Sequence, residues 1–152
     1  MKFNYNLPVN LVFGRGRVTE VGEITSAYGK KALIVTGKNS TKKSGLLDKV
    51  TAALEAAGLG VAVFDKVSQN PLTTTAEEGA ALAAQEGCDV IVGLGGGSIM
   101  DCAKAIAFLS KNDGGELYTS IEMVWDDVNN QIKLYGIDKN YPISTIDLFG
   151  DN

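Results

Sequence analysis

The chain has 152 residues, of which 45% are hydrophobic, and a formal net charge of −4 with no histidine. This length suits one domain that buries roughly 70% of its unfolded surface, and the apolar fraction excludes an intrinsically disordered chain. Lysine and arginine form no run longer than pairs such as Lys42-Lys43, so nucleic acid is not an expected partner. Because no apolar run approaches the length of a bilayer span, we expect no membrane association, and the first residues do not resemble a signal peptide.

Two residue types narrow the chemistry further. Cys88 and Cys102 follow no metal-ligand spacing, and we expect both to be small buried residues of a protein in the reducing cytoplasm. Histidine is the commonest ligand for iron and zinc and the usual acid–base group at neutral pH. Its absence removes the most frequent way of building a metal site or a proton-transfer site.

The N-terminal third begins with strand-like segments. Residues 3–5 and 10–13 have strand composition, interrupted by Pro8. After a turn at residues 14–17, apolar residues recur at helical spacing, and Gly29 is a suitable stop. The residues of that helical face are Val18, Val21, Ile24 and Tyr28.

Two strand–helix units follow. Residues 31–36 form the first clear core strand, and Gly37, Lys38, Asn39 and Ser40 form the loop after it. A helix then ends at Gly58, and residues 61–64 form the second strand. The predicted buried face of that helix consists of Leu46, Leu47, Val50, Leu54 and Ala57. A loop over residues 67–75 leads into a helix that Thr74 or Thr75 can cap, that runs to about residue 85 and that stops at Gly87.

The stretch from Cys88 to Asp101 organises the rest of the chain. Residues 90–92 predict a strand buried on both faces, and four glycines then fall within positions 93–97. Ser98 suits the N-cap of the next helix, with Asp101 at capping-box spacing. Free amides and the positive end of the helix dipole would meet there, which favours a phosphate group. The alternative is a glycine turn without a ligand, since the stretch is not a P-loop and is an imperfect dinucleotide fingerprint.

The alternation of strands and helices predicts an α/β fold, a Rossmann-like parallel sheet with helices on both faces, in a single domain. Ligands of such sheets bind beyond the carboxyl ends of the strands. The loops at residues 37–40, at Asn70-Pro71 and at residues 95–98 all leave those ends, so we expect them to converge.

Beyond residue 113 the pattern is weaker. One helical face is predicted from Leu117, Ile121, Val124 and Val128, with Trp125 beside it. Residues 131–135 and 142–146 are predicted to be short strands, and residues 147–152 a frayed end.

Several motifs resemble one family. Gly95-Gly96-Gly97-Ser98, followed by Asp101 and Ala103-Lys104-Ala105, is similar to the G-G-G-S-x-x-D-x-A-K signature of the iron-containing alcohol dehydrogenases. Other segments match that family in the right order: Val12-Phe13-Gly14, residues 32–38, residues 67–71 and Glu77-Glu78-Gly79. The resemblance covers roughly the first 110 residues, and residues 111–152 depart from it.

The resemblance implies an NAD- or NADP-binding domain in which the amides of residues 95–98 hold the cofactor pyrophosphate. For Asp101 it leaves two roles open, a ligand contact or a cap for its own helix. Lys104 is either a solvated residue or a charge near the phosphates. Asn70 matches a position near the cofactor, although it could equally be a turn residue before Pro71.

The cofactor preference depends on Gly37. Many relatives carry an aspartate at this position, which binds the adenosine ribose hydroxyls and repels a 2′-phosphate. Gly37 removes that charge, and Lys38, Asn39 and Ser40 could donate to a phosphate, so the resemblance implies that NADP is tolerated and is a candidate for the preferred cofactor. The competing interpretation is that Gly37 is only a turn residue.

The same resemblance implies what this sequence lacks. Family members hold iron, or zinc, through one aspartate and three histidines of a second, helical domain, which has no counterpart here. We therefore assign no catalytic residue and no metal ligand. The expected function is the NAD(P)-binding domain of an enzyme that transfers hydride between a primary alcohol or aldehyde and NAD(P), inactive by itself. The alternative is a nucleotide- or phosphate-binding or dimerising module without catalysis.

The N-terminal strands carry the last expectation. In the family this region helps to build a homodimer interface, which implies a dimer contact. A plain edge strand is the other interpretation.

Overall fold

The computed structural model describes residues 10–111 and three further strands at residues 122–126, 131–135 and 142–147. The chain divides into two compact units, one of residues 11–116 and one of residues 1–10 and 117–152. The first unit contains a sheet of three parallel strands, and the second contains a sheet of three antiparallel strands.

The parallel sheet has the order β2-β1-β3, with β1 over Lys31–Gly37, β2 over Gly60–Val67 and β3 over Val90–Leu94. The central strand is apolar because both of its faces are covered, and residues 32–36 are fully buried. The prediction that residues 90–92 are buried on both faces is wrong for the described chain. These residues are only partly buried, since β3 lies at an edge of the described sheet.

The helices of this unit connect and cover the strands. A 3-10 turn at Arg17–Glu20 is followed by α1 (Val21–Ser26), α2 (Ser40–Lys43), α3 (Leu46–Ala56), α4 (Thr73–Glu86) and α5 (Gly97–Lys111). The chain runs from β1 outward to β2 through α3, and then back past β1 to β3 through α4. Because such crossovers are right-handed, α3 and α4 cover opposite faces of the sheet. The Rossmann-like α/β prediction is therefore confirmed.

Two apolar layers hold the helices to β1. Alternate residues of a strand face opposite sides. On one side, Ala32 and Ile34 join a cluster with Leu47, Val50, Leu54 and Leu59. On the other side, α4 presents small residues to α5, and a Cβ added at Gly79 would collide with the side chain of Ile106. The glycine therefore sets how closely these two helices approach.

The N-terminal end of the β1–β3 pair is closed by a carboxylate. The Asp89 side chain accepts hydrogen bonds from the backbone amides of Lys30 (2.9 Å) and Lys31 (2.8 Å), and its own amide donates to the Lys31 carbonyl at 3.0 Å. A Cβ at Gly29 would clash with that carboxylate, so Gly29 is needed for this close approach as well as for ending the helical region.

Several local predictions need correction. Neither Thr74 nor Thr75 caps α4, which begins at Thr73 after Leu72 without a side-chain cap. The chain reaches its helical φ and ψ values there without help from a hydroxyl. Tyr28 and Ala57 are exposed because α1 and α3 end before them, and Ile24 is exposed because α1 buries Gly22 and Thr25 instead.

Other boundaries agree better. Gly87 ends α4 with φ of 64°, as predicted. Residues 10–13 are not in a strand, contrary to prediction, and residues 3–5 lie outside the described residues.

The antiparallel unit consists of β4 (Glu122–Asp126), β5 (Gln131–Tyr135) and β6 (Pro142–Asp147) in the order β4-β5-β6. The two predicted strands, β5 and β6, are confirmed. The predicted helix is wrong where it can be checked, because Val124 and Trp125 lie in β4, paired with Lys133 and Ile132. Leu117, Ile121 and Val128 lie outside the described residues. No helix in the described ranges is both long and apolar enough to cross a membrane.

Candidate nucleotide-binding site

The site is positioned by the strand order of the parallel sheet. From the central strand β1 the chain moves to β2 on one side and later to β3 on the other. In open α/β sheets ligands bind at such a reversal, beyond the carboxyl ends of the two strands that flank it. These ends are adjacent, since Thr36 pairs with Leu94, the last residue of β3.

The loop from β3 into α5 exposes backbone amides. The amides of Ile99 and Met100 donate to the Gly96 carbonyl at 3.0 and 3.1 Å, which starts the helix. The amides of Gly97 and Ser98 precede these first bonds and have no partner within the helix, so they can donate to an anion. The prediction of Ser98 as N-cap is wrong, because α5 begins at Gly97 and Ser98 lies within its first turn.

The three glycines of this loop differ in what they require. Gly95 has φ of 157°, and a Cβ there would lie 2.6 Å from Cγ1 of Ile99, so only glycine fits without strain. Around Gly96 and Gly97, apart from the neighbouring backbone, no atom of the described residues lies within 4 Å of an added Cβ. The loop therefore has one conformationally fixed glycine and two that leave room beside the backbone.

The loop after β1 lies beside the glycine loop. A Cβ at Gly37 would be 3.7 Å from Cδ1 of Ile99, the side chain that also packs against Gly95. Its other neighbour would be the Val67 carbonyl oxygen at 3.5 Å, and both distances are ordinary contacts. The structure therefore brings two of the predicted segments together, and the absence of a side chain at Gly37 is not a steric necessity.

The side chains that follow Gly37 face solvent. Lys38, Asn39 and Ser40 are all exposed. Lys38 forms no ion pair with any residue of the described ranges, whereas the Lys42 ammonium pairs with the Asp65 carboxylate on β2. That pairing lowers the pKa of Asp65, first through the hydrogen bond from Lys42. Lys38 thus remains an available cation at the end of β1.

Asn70 lies on the far side of β1. It follows Val67, which pairs with Gly37 at the end of β2, and it is exposed. Its φ of 54° is left-handed, a conformation that asparagine tolerates better than most residues. This geometry supports the turn role, and the ligand-binding role of Asn70 stays a prediction.

Asp101 and Lys104 are solvated. Their side chains are 74% and 79% exposed, and the Lys104 ammonium lies 3.7 Å from a carboxylate oxygen of Asp101. Such an exposed pair contributes little to stability. The alternative of Lys104 as a solvated residue fits this position, and a ligand contact of Asp101 stays a prediction.

Sequence reasoning missed a buried pair of hydroxyls beside the glycine loop. Thr36 is fully buried, and its hydroxyl donates to the Leu94 carbonyl at 2.9 Å. The hydroxyl of buried Thr41 lies 2.8 Å from that of Thr36. A threonine within the apolar run of β1 was the available signal, but its partners on α2 and β3 depend on the fold.

Neither cysteine is an activated nucleophile, and Cys88 is only partly buried, contrary to the prediction, whereas Cys102 is buried. Burial raises the pKa of both Cys88 and Cys102, so these thiols stay protonated at neutral pH. No group of three or more cysteine, aspartate or glutamate residues in the described ranges could hold a metal ion, and the chain has no histidine. The described residues therefore do not fit an iron site, which the resemblance places in a second, helical domain.

Comparison with known proteins agrees with this geometry. A family model described as iron-containing alcohol dehydrogenase matches residues 8–146. A probable NADH-dependent butanol dehydrogenase of Bacillus subtilis (strain 168) is 42% identical over 112 residues, which is 74% of this chain and 29% of that protein.

Two solved structures are similar. The crystal structure of a 1,3-propanediol oxidoreductase superimposes with a TM-score of 0.73 at 40% identity, covering 80% of this chain and 32% of that one. A sulfoacetaldehyde reductase of Bifidobacterium kashiwanohense, in complex with NAD+, gives a TM-score of 0.65 at 33% identity, covering 72% and 29%. The chain thus spans about a third of the length of the proteins it matches.

Proposed function

Because this chain belongs to the iron-containing alcohol dehydrogenase family, we propose that its parallel-sheet unit is the NAD(P)-binding domain of an alcohol dehydrogenase. The reaction of the whole enzyme would be hydride transfer between a primary alcohol and NAD(P)+, giving the aldehyde. The observation that carries the proposal is the glycine loop at the strand reversal, where Gly95 is fixed and the amides of Gly97 and Ser98 are open.

The contribution of this chain is cofactor binding. Amides at the start of α5 donate to the diphosphate, and the positive end of the helix dipole favours its charge. Hydride transfer also requires an alcohol held against the nicotinamide and a group that polarises its oxygen. The described residues provide no such group, so we propose that the chain does not oxidise alcohols by itself.

Calorimetric titration of the 152-residue chain with NAD+ and NADP+ tests the binding proposal. Saturable binding of either cofactor supports it, and the absence of heat and of thermal stabilisation at millimolar cofactor contradicts it. Incubation with 1-butanol or 1,3-propanediol tests the second part. Sustained formation of NAD(P)H that chelators do not stop would show that the chain is catalytic alone.

We further propose that NADP+ is accepted. Gly37 leaves no carboxylate to repel a 2′-phosphate, and exposed Lys38 is unpaired among the described residues. Because a Cβ fits at Gly37, the variant Gly37→Asp should fold normally. It should weaken NADP+ binding about tenfold or more through like-charge repulsion and leave NAD+ binding nearly unchanged. A wild-type chain that binds only NAD+ would contradict this proposal.

A second candidate function is dimerisation. Leu11 and Phe13 are 78% and 86% exposed, which is unusual for large apolar side chains and fits a contact with another chain. Sedimentation of the wild type and of Phe13→Ser would test this contact. A wild-type dimer that Phe13→Ser dissociates supports it, and a monomeric wild type contradicts it.

We propose that the compartment is the cytoplasm, which the two unpaired cysteines support.

A further inference from the structure

We propose that Thr36 and Thr41 are positioning residues that orient the Gly95 amide toward the cofactor diphosphate. This inference rests on the proposed binding of NAD(P). It assigns a role to the hydroxyls of two buried residues, Thr36 and Thr41, which are 0% and 5% exposed and which the binding proposal does not use.

The direction of the hydrogen bonds follows from counting protons. A hydroxyl has one proton to donate. Because the Leu94 carbonyl can only accept, the Thr36 hydroxyl donates its proton there, at 2.9 Å. The hydroxyl of Thr41, 2.8 Å away, must then donate to Thr36. The order is Thr41 to Thr36 to the Leu94 carbonyl, with no choice of direction.

The last acceptor in this chain belongs to the peptide group that contains the Gly95 amide. In a planar trans peptide the C=O and N–H bonds point in opposite directions. The Leu94 carbonyl faces β1, where strand pairing places it and the Thr36 hydroxyl binds it, so the Gly95 N–H points away from β1. No acceptor for that N–H group lies within hydrogen-bond range among the described residues.

The same chain connects the two segments of the predicted site. Thr41 lies in α2, directly after the loop of residues 37–40, and Leu94 precedes the glycine loop. The Thr36 hydroxyl thus adds a side-chain link between these segments, beside the backbone pairing of Thr36 with Leu94 and the packing of Ile99 against Gly37 and Gly95. We infer that its two hydrogen bonds help to fix the loop of residues 37–40 relative to the glycine loop.

The inference predicts unequal effects of two similar substitutions. Thr36→Val leaves the Thr41 proton without its acceptor, removes the side-chain hydrogen bond to the Leu94 carbonyl, and should weaken NAD+ binding about tenfold. Thr41→Val leaves the hydrogen bond from Thr36 to Leu94 intact. This variant should weaken NAD+ binding about threefold at most. Thr36→Ser keeps both hydrogen bonds and should bind within about twofold of the wild type.

Calorimetric titration of these three variants with NAD+ and with ADP-ribose is the test. ADP-ribose carries the diphosphate without nicotinamide, so its affinity should fall by the same factor as that of NAD+ if the diphosphate contact is lost. Asp89→Asn is the control. It weakens the hydrogen bonds from the Lys30 and Lys31 amides at the opposite end of the sheet, so it should lower stability without changing either affinity.

A second measurement does not depend on how well Thr36→Val folds. The amide resonance of Gly95, followed by nuclear magnetic resonance, should move on addition of ADP-ribose to the wild type and to Thr36→Ser. Equal affinities for the wild type and a folded Thr36→Val, or a Gly95 resonance that ADP-ribose leaves in place, would overturn the inference. If the wild type bound neither ligand, the proposed function itself would fail, which is a distinguishable result.

Discussion

The two ends of the β1–β3 pair are fastened by different chemistry. At the N-terminal end the negatively charged Asp89 carboxylate accepts hydrogen bonds from the backbone amides of Lys30 and Lys31. At the C-terminal end the fastening is neutral, from the Thr36 hydroxyl to the Leu94 carbonyl. Both join the same two strands across nearly sixty residues of sequence, so the topology alone does not explain the difference.

The proposed cofactor site explains the difference. A carboxylate receiving backbone amides is a strong, charge-assisted fastening, and at the N-terminal end no ligand is proposed. At the C-terminal end the same carboxylate would repel the cofactor diphosphate, whereas a hydroxyl fixes the backbone without adding charge. A binding site for an anionic ligand thus disfavours carboxylates among the side chains that join the strands beside it.

The largest effect is expected from Gly95→Ala, at the C-terminal end. The alanine would be strained at φ of 157° and would press on Ile99, so the loop must move. Such strain costs about 2 kcal/mol, and we expect NAD+ affinity in calorimetry to fall by at least about tenfold. Gly58→Ala is the matched control. It introduces a similar backbone strain, at φ of 83°, but no atom would contact its added Cβ and it lies outside the glycine loop. A Gly95→Ala chain that binds as tightly as Gly58→Ala would break the comparison.

The next effect is expected at the other end, from Asp89→Asn. The amide group cannot receive the Lys30 and Lys31 protons as a carboxylate does, so the free energy of unfolding should fall in urea titration. The affinity for NAD+ should not change, because the C-terminal end keeps its hydroxyl chain. Loss of affinity beyond the loss of folded protein would show that the two ends are coupled and that the division of roles is wrong.

The pH dependence of stability should separate the ends as well. Hydrogen bonds from Lys31 and then Lys30 hold the pKa of Asp89 below its ordinary value of 3.8. A depressed pKa stabilises the folded state above 3.8, and the contribution is lost as the pH falls through the lower folded value. The stability difference between wild type and Asp89→Asn should therefore shrink below pH 3.8 in urea titrations. A difference that stays constant down to full protonation would contradict the assignment.

The smallest effect is expected from the ion pair beside Asp89. The Lys31 ammonium and the Glu86 carboxylate are 2.9 Å apart, but both side chains are at least a third exposed. Glu86→Gln should change the unfolding free energy by no more than about 0.5 kcal/mol, and salt should reduce even that. A change as large as that of Asp89→Asn would mean that the N-terminal end is held by the ion pair rather than by the backbone amides.

Sequence pattern predicted the parallel sheet, and the meeting of the loops at Gly37 and Gly95 at one edge of it, because both depend on local signals. The apolar run of β1, the glycines that end α3 and α4, and the glycine cluster after β3 can each be read within a few residues. Ser98 was misjudged as a cap because the short loop lets the helix start at Gly97. Hydroxyl caps were expected for α4 as well, but the backbone enters that helix without one.

The remaining wrong or missing predictions concern contacts between residues that are far apart in the sequence. Val124 and Trp125 fit a helical spacing, but pairing with β5 places them in a strand. The partners of Thr36 and Asp89 lie 58 or 59 residues away, so no window of sequence contains both members. The sequence shows that Thr36 and Asp89 lie next to apolar segments, but only the fold shows which backbone groups they bind.

The room for a Cβ at Gly37 has a consequence for how this family can vary. Such a Cβ meets the Val67 carbonyl oxygen and Ile99 only at ordinary contact distances, so the fold does not require glycine there. If Gly37 governs nucleotide preference as proposed, a single substitution at the edge of the sheet would change that preference while the interior stays as it is.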